Sequence, residues 1–571
     1  MKRIDLRFKK NLNEDTAVKL NEIARQKIDE FHNFISKISN DNKDIFEWWM
    51  SSPSSRYTLS SPLFFYFCSL HFLIYILKKN IEVDEIIVDN YSVKKVFDKI
   101  IVKNDKKIKV LSSETIFIKI KKRLRSYFSI FLQFLKKIYQ MIICKMKFVQ
   151  ITHLKNNKII LIDKFVFPGY IETDRYYNNL INYVDSEHKN NIYFVPALLH
   201  FKLFELSNVY SRLEKSDINY LFKEKFLNLS DIIDAFMFFK RKKNIILKEN
   251  YICDCEISDI ILNELKDNMI SYAAAIESLL NIKFIKNISK LKINVQLSID
   301  WFENQINDRG WNYGFNKYYP NIETIGYRGL IPSDLLFSEM YPTIDEDINN
   351  MLPKKICVIG SALIPAIKKY NNNIKIDVAP AFRFQHLWKS NHLPNKDELI
   401  IFIALPINFD DSVDIFNLII ESHKNKKLKK YKFFLKLHPT TSYSQIIKSI
   451  NYPLPKEFKI VEGNTEQILM KANIMVSGMS SICLESIAVG IPLLVIENKN
   501  KLIYRTIPNE ISKNLYRVCK SERDFIDSIN YFENLNESLK QKNIMNSKEI
   551  KLNYFQPVTK QNVQNFLQLN K

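Results

Sequence analysis

Apolar residues fall into short unbroken runs along this chain, and the runs alternate with stretches of helical spacing. Residues 84–89 (DEIIVD), 158–163 (KIILID), 191–195, 294–299, 356–359 (ICVI), 399–404 (LIIFIA), 432–437, 458–461, 473–476 and 492–496 read as strands. Continuous rather than alternating apolar runs mark parallel strands covered on both faces. Between them, 174–184, 259–282, 411–424, 465–472 and 481–489 carry helical spacing. The alternation predicts an α/β chain of doubly wound domains. Residues 1–80 read as mostly helical, with Trp48 and Trp49 as anchors and Leu63 to Leu77 as a buried helix, shorter than the roughly 20 residues a membrane span needs. The polar stretch 341–354 (YPTIDEDINNMLPK) carries two prolines. It divides the pattern and is expected to link an N-terminal lobe (1–340) to a C-terminal lobe (350–540).

One segment departs from this pattern. Residues 119–148 (KIKKRLRSYFSIFLQFLKKIYQMIICKMKF) hold nine Lys or Arg and no acid, with Phe131, Phe134, Leu135, Ile138, Met141 and Ile142 at helical spacing. This is the composition of a helix that lies on an anionic membrane surface. The chain as a whole carries 84 basic and 62 acidic residues, a formal charge of +22 that favours anionic partners. Nucleic acid is not the expected one: there is no zinc-ligand spacing, no RNP-type stretch and no helix-turn-helix pattern. Seven cysteines without a CxxC pair argue for a reduced, cytoplasmic protein with no structural metal. The first residues (MKRIDLRFKK) lack an apolar signal core.

Glycine is scarce, nine in 571 residues, so each is expected at a tight turn or a close approach. Four of them (Gly310, Gly314, Gly326, Gly329) crowd one aromatic-rich stretch. Gly360-Ser361 follows strand 356–359 and reads as the first turn of the C-terminal lobe, close to a nucleotide. In KFFLKLHPTT (432–441), His438-Pro439 stands at the carboxyl end of a strand, where ligands of open α/β sheets sit. In NIMVSGMSSICLESIAVGIP (473–492), a strand runs into Ser477-Gly478, Ser480-Ser481 opens a helix, and Glu485 lies one turn inside it. Free backbone N–H groups and two hydroxyls at a helix start suit a phosphate, and Glu485 suits ribose hydroxyls. His438, Pro439, Gly478, Ser480, Ser481, Glu485, Gly360 and Ser361 are therefore the candidate nucleotide-binding residues.

LKLHPTT followed by SGMSSICLESIAVGIPLLVI resembles the donor lobe of GT-B glycosyltransferases. It is most similar to the His-Pro and Ser-Ser motifs of bacterial sialyltransferases, polysialyltransferases and related nonulosonic acid transferases, and it also resembles CDP-glycerol glycerophosphotransferases. LIDKFVFPGYIETDRYYNNL (161–180), WFENQINDRGWNYGFNKYYPNIETIGYRGLIP (301–332) and APAFRFQHLW (379–388) resemble companion stretches of surface-carbohydrate enzymes. The resemblance implies two Rossmann-like lobes facing a cleft, with 541–571 packing back on the N-terminal lobe. It implies inverting, metal-independent transfer from a CMP-sugar to a glycan or lipid-linked glycan at the inner face of the cytoplasmic membrane. A CDP-glycerol, CMP-Kdo or UDP-sugar donor, or a non-catalytic part of an assembly complex, are the alternatives.

Inverting transfer needs a base that takes the acceptor's proton. Asp163 at the end of strand 158–163 is the first candidate, Asp174 the second and Glu303 the third. Arg175 suits a donor or acceptor carboxylate.

Overall fold

A computed structural model describes residues 2–147, 154, 155, 157–248, 250–252, 254–389, 398–438, 442–450, 454–463 and 465–569. Pro439 lies outside them.

Among the described residues, seventeen strands form four sheets. β1 (Arg3–Asp5), β2 (Glu85–Val88) and β3 (Lys109–Ser112) make a small parallel sheet beside the N-terminal helices. Next come β4 (Ile159–Val166), β5 (Ile192–Leu198) and a short hairpin of β6 (Tyr251–Ile252) and β7 (Cys255–Glu256). β8 (Val295–Trp301), β9 (Glu323–Arg328), β10 (Lys355–Val358) and β11 (Lys375–Val378) follow. The first large sheet has the order β11-β10-β9-β8-β4-β5, all parallel. The order of the chain reverses between β4 and β8, which makes their carboxyl ends the switch point of this lobe.

The second large sheet holds β12 (Leu399–Ala404), β13 (Tyr431–Lys436), β14 (Phe458–Ile460), β15 (Ile474–Ser477), β16 (Leu493–Ile496) and β17 (Tyr516–Cys519). Its order, β14-β13-β12-β15-β16-β17, is also wholly parallel and reverses between β12 and β15. Most β12 and β15 side chains are buried, as their unbroken apolar runs require.

The division between lobes differs from the sequence expectation. β10 pairs with β9 and β11 with β10, so 355–378 belongs to the first sheet, and the chain crosses to the second lobe only after β11. The stretch 341–354 lies within the first lobe. Its Glu346 accepts from Arg56 (2.7 Å) and Arg309 (2.6 Å) in a fully buried cluster that ties the N-terminal helices to this lobe. Two helical expectations also change. Residues 174–184 hold only a 3₁₀ turn, Leu180–Tyr183. Stretch 259–282 is two helices, Ser258–Asp267 and Met269–Lys290, broken where Asn268 caps the second by accepting from the Ser271 amide.

Gly310 lies on helix Ile306–Tyr318 against helix Met269–Lys290, where a Cβ would come 2.0 Å from the Ser278 carbonyl oxygen. This glycine permits close helix packing. After helix Glu537–Tyr554, the chain returns to the first lobe. The Gln556 amide donates to Ile359, the Ala381 amide donates to Gln556, and Phe566 packs on Tyr327 at a ring separation of 5.3 Å.

Candidate functional site

In the second lobe, the switch point is closed by a hydrogen bond from Ser477 Oγ to the Ala404 carbonyl (2.7 Å), joining the ends of β15 and β12. The turn that follows is held by Thr506 Oγ1, which donates to the Ser480 carbonyl (3.1 Å). Gly478 sits where a Cβ would come 3.0 Å from Ile415 Cδ1. Ser481 precedes helix Ile482–Ala488 with helical backbone angles, and its hydroxyl does not cap the helix. It donates instead to Glu485 Oε1 (3.1 Å). Glu485 Oε2 lies 3.1 Å from His386 Nε2, and His386 Nδ1 lies 3.3 Å from Glu466 Oε1. Burial opposes charge on His386, but the Glu485 bond and the two carboxylates outweigh it and raise its pKa. Glu485, read from the sequence as a ribose ligand, is thus engaged within the protein by Ser481 and His386.

His438 follows β13 and is half-buried. Burial, aided by the positive charge of Arg175, lowers its pKa to about 4, so the imidazole is neutral at pH 7. Arg175 comes from the loop after β4, at the switch point of the first lobe. A second arginine, Arg383, sits on the 3₁₀ turn Phe382–Phe384, where the chain leaves β11, with its guanidinium 5.8 Å from the Trp301 ring. Burial and the charge of Arg175 both lower its pKa, while Glu485, Tyr176 and Glu303 act the other way. Among the described residues neither arginine has an ion-pair or hydrogen-bond partner; Arg175 only overlies the Tyr170 ring at 5.7 Å. Two mutually repelling cations thus stand with a neutral, desolvated histidine, and the carboxylates of Glu303 and Glu485 lie within reach of Arg383 without bonding it.

The three candidate bases occupy different settings. Asp174 Oδ1 accepts from the amides of Tyr176 (2.8 Å) and Tyr177 (2.9 Å), and Oδ2 lies 3.4 Å from Lys164 Nζ. It is an Asx turn with an ion pair, and it fixes the loop that carries Arg175. Asp163 is only 8% exposed, inside β4. Burial pushes its carboxyl up to about 6 against the pull of Lys223. Glu303 is half-buried just beyond β8. Trp301 Nε1 donates to its Oε1 (2.7 Å) and Gln305 Nε2 to its Oε2 (2.6 Å). Asp308 supports the turn by accepting from the amides of Glu303 and Gln305, both at 3.0 Å. Tyr176 packs on Trp301 at 4.5 Å, and burial, with the charge of Glu303, raises its phenol to about 12. Glu303 is therefore the candidate whose surroundings also contain Tyr176 and Arg383.

Gly360 and Ser361 lie elsewhere. They follow β10 in the first lobe, and a Cβ on Gly360 would meet the backbone of Asn553 and Tyr554 at 2.4 Å. Gly360 admits the returning C-terminal helix and belongs to the first lobe, not to the turn after a second-lobe strand. Arg383 and His386 were not singled out by sequence reasoning, although both stand in the stretch 379–388. A cavity of about 890 Å³ borders the site at Gly478 and Met479 without including His438 or Arg175. Among the described residues no group of His, Cys, Asp and Glu is placed to hold a metal ion.

Two wholly parallel lobes, each with a switch point, and a C-terminal segment crossing back to the first lobe define the GT-B fold. Comparison with known families and with curated proteins finds no match to this chain. Similar solved structures include S. aureus MnaA with UDP, with 10% identity, 72% of this chain and 98% of that one, and a TM-score of 0.42. The UDP-GlcNAc 2-epimerase of Neisseria meningitidis aligns with 12% identity over 72% and 99%, TM-score 0.41. The wall teichoic acid polymerase TagF aligns with 9% identity over 80% and 97%, TM-score 0.37.

Proposed function

We propose that this protein is an inverting glycosyltransferase that moves a nonulosonic acid from a CMP-sugar to a surface glycan or lipid-linked glycan. The observation that carries the reading is Arg175, whose charge reaches both the neutral His438 and Arg383, with neither arginine paired among the described residues. Such a donor brings two anions, a phosphate and a sugar carboxylate. His438 and the hydroxyl of Ser480 hold the phosphate, joined by Ser481 once its hydroxyl turns from Glu485, and the arginines pair with the carboxylate and the remaining phosphate charge.

Glu303 takes the proton of the acceptor hydroxyl as its oxygen attacks the anomeric carbon. The bond from that carbon to the phosphate oxygen breaks, and CMP leaves with its electrons. Negative charge grows on the phosphate in this step, where His438 and the arginines stabilise it. The bonds from Trp301 and Gln305 keep Glu303 aimed and cost no reorganisation during the reaction. No metal is assigned a role. The composition of the basic helix supports a location at the inner face of the membrane, where lipid-linked acceptors are found.

The test is release of free nucleotide from CMP-sialic acid, CMP-Kdo, CDP-glycerol and UDP-GlcNAc by the purified chain. Turnover of the CMP-nonulosonate alone supports the reading. Turnover of CDP-glycerol or UDP-GlcNAc alone overturns the donor.

A further inference from the structure

The basic segment forms a single helix, Ile116–Lys147. Phe117, Ile120, Leu124, Phe128, Phe131 and Leu135 are all exposed on it. They follow one another at three- and four-residue steps, so they share one face. Among the described residues, no helix is long and apolar enough to cross a membrane. Where the helix meets the segment 239–272, the protein encloses a cavity of about 500 Å³. Tyr127, Ile130, Phe239, Leu262 and Met269 give it apolar walls. Tyr127 and Phe239 pack edge to face at 5.6 Å, so this wall is built.

One part of the lining is polar. Lys122, Arg123, Lys242, Lys243 and Lys266 bring positive charge to it. Lys242 Nζ donates to the Leu265 carbonyl (2.5 Å) and lies over the Phe239 and Tyr272 rings at 5.6 and 5.7 Å. Asp267 stands among these cations with its side chain 9% exposed. Its Oδ1 is 3.8 Å from Arg123 Nε, while its Oδ2 is buried with no hydrogen-bond partner.

We propose that this cavity is a binding site for an anionic phospholipid. Its phosphate pairs with Arg123 and Lys242, and an acyl chain lies along Tyr127, Phe239 and Leu262. The exposed apolar face of the same helix rests on the bilayer that supplies the lipid. The site is independent of the transferase reading, because none of its residues belongs to the cleft.

Native mass spectrometry of the full chain with dihexanoyl-phosphatidylglycerol, dihexanoyl-phosphatidic acid and glycerol 3-phosphate tests this. The expected result is a one-to-one adduct with dihexanoyl-phosphatidylglycerol, absent with glycerol 3-phosphate. Arg123→Ala lowers its affinity, and that for dihexanoyl-phosphatidic acid, about tenfold, which is about 1.4 kcal/mol. Leu262→Trp, at a partly exposed position on the wall, fills the cavity and abolishes the adduct while the melting temperature stays within a few degrees of the wild type. Undiminished binding in Arg123→Ala would overturn the phosphate assignment. Equal adducts in wild type and Leu262→Trp, or equal binding of glycerol 3-phosphate, would overturn the lipid site.

Discussion

Arg175, from the first lobe, lies near enough to His438, in the second, for its charge to add to burial in holding the imidazole neutral. A phosphate bound between them reverses this balance, because a negative charge favours the protonated ring. The His438 resonance in an NMR titration is therefore expected to move near pH 4 in the free protein and clearly higher with CMP bound. An unchanged midpoint on saturation with CMP would mean that the phosphate sits elsewhere.

The same depressed pKa affects stability. An unfolded histidine takes up its proton near pH 6.5 and folded His438 only near 4, so the unfolded chain binds more protons between these values. This group's contribution is complete above about 6.5 and declines as pH falls toward 4. His438→Gln is expected to lose less melting temperature than the wild type over that window. His386 has the opposite sign. Its folded pKa is raised, so the His386–Glu485 pair stabilises most below pH 6.5 and fades as pH rises through the folded value. Melting curves of Glu485→Gln against wild type should converge toward alkaline pH.

Among the acids, Glu303→Gln is expected to lower kcat by about 10²–10⁴-fold and leave CMP affinity unchanged. Asp174→Asn weakens the pair with Lys164 and one anchor of the Arg175 loop, and it should raise the donor KM with a smaller change in kcat. A large kcat loss in Asp174→Asn with none in Glu303→Gln would exchange their roles.

The strands of this fold were legible because buried parallel strands write unbroken apolar runs, as in LIIFIA at β12 and KIILID at β4. Their grouping was not. ICVI at β10 looks the same whichever sheet it joins, and its membership is decided by pairing with β9, whose sequence ETIGYR mixes Gly and charge and carries no strand signature. Missing β9 moved the lobe boundary forward and carried Gly360 into the wrong lobe. His438 stood out because it follows the end of a strand, and the Ser480–Ser481 pair because it opens a helix. Arg383 did not, because it sits on a single 3₁₀ turn and acquires its surroundings from Trp301, Arg175 and Glu485, all distant in the chain.

Gly360→Ala separates structure from binding. The added methyl meets the backbone of Asn553 and Tyr554, so the variant should lose about 1–3 kcal/mol or more of stability. The CMP affinity of the folded fraction should be unchanged, and Ser361→Ala should alter neither. A selective loss of CMP affinity in either variant would return this turn to the nucleotide site.

The central claim is that His438, Arg175 and Arg383 together form the anion site. Calorimetric titration of CMP, CDP, UMP and UDP into the wild type, His438→Ala, Arg175→Ala and Arg383→Ala tests it most directly. The account predicts that CMP binds the wild type best and that each substitution weakens it roughly tenfold or more, since a charged hydrogen bond contributes about 1.5–3 kcal/mol. CMP binding that is undiminished in all three variants, or no binding of any nucleotide to the wild type, would contradict it.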